Sequence, residues 1–146
     1  MKTLKELMNL TGRVALITGG AGHIGEALGE ALAECGAKIA IVDNNKKDSL
    51  SASLFLTVDL AKEESVRAIP NQVVSELGSL DILINCAALV GTLKLKGWAA
   101  PFEEQSLEAW RKALDINLTA AFVLTQSCKD LLHKSKHGSV INISSI

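Results

Sequence analysis

The chain has 146 residues, the length of one ordinary domain. Hydrophobic residues make up 48% and charged residues 21%, a globular balance that argues against a disordered chain. A net charge of -1, with no Lys/Arg cluster larger than a pair such as Lys46-Lys47, leaves no electrostatic footprint for nucleic acid or an anionic membrane.

Residues 1–9 carry two lysines but no apolar stretch long enough for a signal peptide. No run approaches the roughly 18 consecutive apolar residues that span a bilayer. Cys35, Cys86 and Cys128 are widely spaced and form no Cys-x-x-Cys. They read as reduced thiols rather than disulfide partners or metal ligands, so the expected setting is cytoplasmic. The chain contains no tyrosine.

Short apolar runs alternate with longer stretches of helical period, the pattern of repeated βαβ units with a parallel sheet. Residues 13–18 (RVALIT) predict a first strand, and a glycine cluster follows. Ile24, Ala27, Leu28, Ala31, Leu32 and Cys35 then predict one apolar helix face, with Gly36 as its stop. Residues 38–43 (KIAIVD) predict a second strand, and 44–53 is polar with room for a turn or two of helix. A third strand is expected over 54–59 (LFLTVD), then a helix over 61–77 with Val66, Ile69, Val73 and Leu77 on one face. Pro70 predicts a kink or restart in that helix, because it removes a backbone donor and crowds the preceding turn.

Gly78 ends this helix, and 80–85 (LDILIN) predicts a fourth strand. An irregular loop with Trp98 and Phe102 is expected over 90–105. Ser106 is the expected N-cap of a long helix to about His133. Residues 139–144 (SVINIS) predict a fifth strand. The expected fold is α/β: a Rossmann-type doubly wound parallel sheet of order 3-2-1-4-5, truncated after its fifth strand. Residues 1–146 read as one incomplete dinucleotide-binding domain.

Gly20, Gly22 and Gly25 match G-x-G-x-x-G between the first strand and first helix. The hexapeptide alone is a weak signal, and its context strengthens it. Glycines let the backbone approach a pyrophosphate, while a helix N-terminus supplies free N–H groups and a favourable dipole. An acid should follow the second strand to take the ribose hydroxyls, and Asp43 stands 23 residues after Gly20. A carboxylate there repels a 2′-phosphate, which favours NAD over NADP. His23, inside the turn, is expected to pack over it.

These motifs, with others downstream, resemble the short-chain dehydrogenase/reductase family. The segment from Thr18 through Gly19, Gly20, Gly22, His23, Ile24 and Gly25 looks like that family's cofactor turn. Asp59-Leu60 resembles its adenine-contacting pair, and Asn85-Cys86-Ala87-Ala88 its Asn-Asn-Ala-Gly motif. Asp115-Ile116-Asn117-Leu118 resembles the segment with the catalytic asparagine, and residues 138–145 the fifth strand with its terminal Ser-Ser. The resemblance implies hydride transfer between a secondary alcohol or ketone and a nicotinamide. Ser145 would hydrogen-bond the substrate oxygen, with Ser144 as the alternative if the register is shifted by one. Asn117, at a break in the long helix, would hold a water in a proton relay.

The family's tyrosine and lysine would lie beyond Ile146, so the chain is expected to be an N-terminal fragment, inactive by itself. The long helix implies a homo-oligomeric parent, a dimer or tetramer, acting on a small alcohol or ketone that includes sugar derivatives. Two rival readings are a non-catalytic NAD-binding module and a fragment of a sugar-nucleotide epimerase or dehydratase. The second rests on the glycine spacing.

Overall fold

The computed structural model describes residues 3–46, 52–90 and 95–145. Five parallel strands, β1 (Val14–Thr18), β2 (Lys38–Asp43), β3 (Leu54–Thr57), β4 (Ile82–Asn85) and β5 (Ser139–Asn142), form one sheet in the order β3-β2-β1-β4-β5. This is the expected Rossmann-type topology. The strand order reverses between β1 and β4, the place where ligands bind open α/β sheets. Before β1 lies a single helical turn, α1 (Leu4–Leu7), closed by a Thr3–Glu6 capping box.

Alternation along the strands builds two cores, because successive side chains leave opposite faces of a sheet. Val14, Leu16, Ala40, Val42 and Leu83 face α3 (Glu63–Leu77) and α5 (Ala120–Lys134). Ala15, Ile17, Ile39, Ile41 and Ile84 face the side of α2 (His23–Glu34). β1 is buried at all five positions, so its sequence reads as a continuous apolar run, as parallel strands covered on both faces do. β5 pairs Val140 with Leu83 and Asn142 with Asn85, yet is exposed at all four positions.

Three local expectations are corrected. The expected stripe of α2 holds only in part: Leu28 and Leu32 pack against the sheet, but Ile24 is 59% exposed and the fully buried residues are Gly25 and Gly29. A Cβ on Gly29 would meet Ile17 and Ile39 at 3.7 Å, an ordinary contact, so this part of the helix lies directly on the sheet. Leu28, Leu32 and Ala33 flank it, half-buried. Secondly, α3 runs through Pro70 without a restart. Pro70 is buried beside Val66, Ile69 and Val73, so packing outweighs the missing N–H. Thirdly, β3 and β5 end two residues before the predicted limits.

The long helix begins as predicted. The Ser106 hydroxyl accepts from the Ala109 N–H at 3.1 Å and caps α4 (Leu107–Leu114). It then widens into a π turn, Asp115–Thr119, before continuing as α5. The break implied at Asn117 is this turn, a form that concentrates at functional positions. Residues 47–51 of the polar segment after β2 lie outside the described residues, as do 91–94 of the loop after β4. Among the described residues no helix is long and apolar enough to cross a membrane.

Candidate functional site

The carboxyl ends of β1, β2 and β4 converge on a cleft of about 430 Å³. Gly19, Asp43, Asp59, Leu60 and Ala87 line it, and Ile116 and Lys112 wall it from the long helix. The turn after β1 is dense. Gly19 has φ +67°, and a Cβ there would lie 2.7 Å from the Ala87 Cα. A Cβ on Gly25 would collide with the Gly19 carbonyl and lie 2.6 Å from the Gly20 Cα. Only glycine allows this approach of helix to turn.

Gly22 is the N-cap of α2 and contributes no side-chain hydrogen bond, so no side-chain cap occupies the first-turn N–H groups. His23 is exposed at the first helical position, which overturns the expectation that it packs over the turn. Ile24 also faces outward. Neither His23 nor Ile24 lines the cleft.

Asp43 ties the second strand to the glycine turn. Its Oδ2 accepts the Ala21 N–H and its Oδ1 the Asn45 N–H, each at 3.1 Å. A carboxylate has about four acceptor sites, so roughly two remain for a ligand. Asp59 Oδ1 accepts the Ala61 N–H at 3.1 Å, which shapes the turn after β3. That turn sets Asp59 and Leu60 opposite Ala87 and Leu89 across the cleft.

Two buried polar side chains stand at the strand ends: Thr18, 3% exposed, and Asn85, 6% exposed. Thr18 Oγ1 accepts the N–H groups of Cys86 and Ala87 at 3.1 and 3.2 Å, holding the chain after β4 against β1. Asn85 Nδ2 donates to Asn142 Oδ1 at 2.8 Å and to Thr125 Oγ1 at 3.3 Å, joining β4 to β5 and α5. Thr18 was not singled out from the sequence; a threonine ending an otherwise apolar strand was its signal. Burial pushes the Cys86 thiol up, which makes it a poor nucleophile.

Asn117 clamps the residue that follows this motif. Its Oδ1 accepts the Leu89 N–H at 2.6 Å, and its Nδ2 donates to the Leu89 carbonyl at 3.2 Å. Leu89 is buried and lines the cleft. The side-chain amide is thereby oriented by a peptide, and one acceptor site on Oδ1 and one N–H on Nδ2 remain for other partners. Leu89 was another position that sequence reasoning missed, because nothing in its type signals a clamped peptide.

A wider groove of about 950 Å³ lies on the other side, between α5 and β5. Asn85, Asn117, Asn142 and Ser144 line it with Leu118, Phe122 and Val140. Ser144, not Ser145, faces this groove. Ser145 is engaged in an interaction of its own. In the loop, Trp98 is half-buried whereas Phe102 is 88% exposed. Trp98 thus reads as an anchor and Phe102 does not.

The family model for the short chain dehydrogenase matches residues 13–146. The chain belongs to the short-chain dehydrogenase family. Among its relatives in this family, it is 37% identical to a D-threitol dehydrogenase of Mycolicibacterium smegmatis, over 93% of this chain and 54% of that protein. It is 33% identical to the L-fucose dehydrogenase of Bos taurus, over 92% of this chain and 50% of that protein. A crystal structure of a short-chain type dehydrogenase/reductase from Mycobacterium marinum superposes with a TM-score of 0.83 at 26% identity, covering 99% of this chain and 60% of that one. The chain spans about half the length of the curated relatives it matches.

Proposed function

We propose that this chain forms the nucleotide-binding part of an NAD-dependent oxidoreductase that acts on a secondary hydroxyl or ketone of a polyol or sugar. The observation that carries the reading is Asp43. Its carboxylate closes the adenosine end of the cleft, is oriented by the glycine turn itself, and retains acceptor capacity. Two ribose hydroxyls suit that capacity, and a 2′-phosphate would meet a like charge at short range.

The residues fit such a cofactor. The N–H groups opening α2, reached over Gly19, Gly20, Gly22 and Gly25, would hold the pyrophosphate. Asp59, Leu60 and Ile116 would flank the adenine, with Ala87 and Leu89 along the cleft wall. When bound, the nicotinamide supplies the hydride chemistry. This chain contributes position and water exclusion: Thr18 and Asn117 fix the backbone at 86–89 against which the dinucleotide would lie.

Ser145 is assigned the hydrogen bond to the substrate oxygen, and the π turn at Asn117 the water of the proton relay. A proton donor is also needed for that oxygen. With no tyrosine among its 146 residues, the chain by itself is expected to show no turnover. The same feature favours one rival, an NAD-binding unit without catalysis. We place the protein in the cytoplasm, which suits three free thiols. We assign the complete protein a homo-oligomeric state, supported by Leu107, Trp110, Leu114, Leu118 and Phe122, all exposed on the α4–α5 face. The polyol or sugar assignment rests on the relatives named above.

Calorimetric titration with NAD and NADP tests the reading. NAD should bind at least about tenfold tighter, equivalent to about 1.4 kcal/mol. Equal affinities would refute the role of Asp43. Oxidation of polyols and aldoses by the complete protein separates the enzyme from the binding unit.

A further inference from the structure

We propose that a small cavity between the ends of β1 and β4 is a hydration site holding one water molecule, which bridges the Thr18 hydroxyl and Asn85 Oδ1. The cavity measures about 10 Å³ and is lined by Thr18 and Asn85 with Ile116, Ala120 and Leu124 among its apolar walls. Its size is close to the roughly 10–15 Å³ that seats a single water, and it is too small for a larger ligand.

Two polar groups on its lining are incomplete in complementary ways. Thr18 Oγ1 accepts two N–H groups, which uses both of its lone pairs, so its O–H must donate elsewhere. Asn85 gives its Nδ2 to Asn142 and Thr125, while its Oδ1 is fully buried and accepts nothing. A water is both acceptor and donor: it takes the threonine proton and gives a proton to the amide oxygen. Leaving such an acceptor buried and unpaired is unfavourable, which favours retention of an ordered water. A cation is disfavoured because no carboxylate lines the cavity.

This water lies behind Ala87, which lines both the cavity and the cofactor cleft. It would tie the end of β1 to the end of β4, against the apolar wall that Ile116 of the π turn provides. The inference does not depend on which dinucleotide the cleft takes.

Diffraction from crystals of the unaltered chain, or of the complete protein, is the test. One ordered water within about 2.6–3.2 Å of both Thr18 Oγ1 and Asn85 Oδ1 is the expected result. A dry cavity, or a water touching only one of the two, would overturn it. In solution the Ala120 and Leu124 methyl groups should show cross-relaxation with a long-lived water, and its absence counts against the site. Thr18→Ser should retain the water and Thr18→Val lose it. A water kept in the folded valine variant refutes the bridge, and should that variant fail to fold, the unaltered chain still decides.

Discussion

Replacing Asn117 probes the joint between the long helix and the cofactor cleft. In the parent, one side-chain amide satisfies both the N–H and the C=O of Leu89, at 2.6 and 3.2 Å. Leu89 is 6% exposed, so Asn117→Leu, which keeps volume and removes both partners, leaves two peptide groups poorly paired. Each buried, unpaired group costs about 1–3 kcal/mol. Asn117 itself is exposed, so solvent re-pairs part of the loss. Leucine also gains roughly 0.5 kcal/mol of helix propensity over asparagine. The net expectation is a loss of about 1–3 kcal/mol in urea denaturation followed by circular dichroism. Hydrogen exchange of the Leu89 amide should accelerate in parallel. Stability within about 0.5 kcal/mol of the parent, with the Leu89 amide equally protected, would refute the clamp.

Asp81, just before β4, accepts from the Ser135 hydroxyl at 2.6 Å, the Val14 N–H at 2.9 Å and the Ser79 hydroxyl at 3.0 Å. Burial raises its pKa, but these hydrogen bonds and the Arg13 charge outweigh that and hold it below its ordinary value of 3.8. Its contribution is therefore complete above the unfolded-state value and is lost as pH falls through the lowered folded one. Asp81→Ala should flatten the acid limb of the stability–pH curve, and an unchanged limb would exclude the carboxylate as its source. Gly25→Ala has no space beside Gly19 and Gly20, so it should weaken NAD binding at least about tenfold in calorimetry. Parent-like affinity there would show that the turn can yield. Cys128 is wholly buried with its thiol pushed up to about 12. It should resist alkylation at pH 8 until the chain unfolds, while the partly exposed Cys35 reacts first; mass mapping of labelled peptides checks the order.

Much of this protein is legible in one dimension because its determinants are local. Strands covered on both faces read as unbroken apolar runs, so β1, β2 and β4 stand out. Glycine where no Cβ fits, and an acid ending the next strand, mark the cleft before any coordinate is known. The parallel order and the convergence of Gly19, Asp43, Asp59, Leu60 and Ala87 follow from right-handed βαβ connections. Contacts between distant segments were not legible. Nothing near Asn117 announces that its amide closes on Leu89, 28 residues away, and nothing near Thr18 announces its grip on residues 86 and 87. The face of α2 was legible only in part, since periodicity finds Leu28 and Leu32 but not Gly25, whose place is set by the backbone of Gly19 and Gly20. Pro70 shows the converse: the helix does not restart there, and the proline is buried in the core. Sequence alone thus determined the sheet and several of the residues that line the cleft at its carboxyl edge. The tertiary structure decided which peptides are clamped, which polar groups are buried and which helix face is covered, because those depend on what another part of the chain brings into contact.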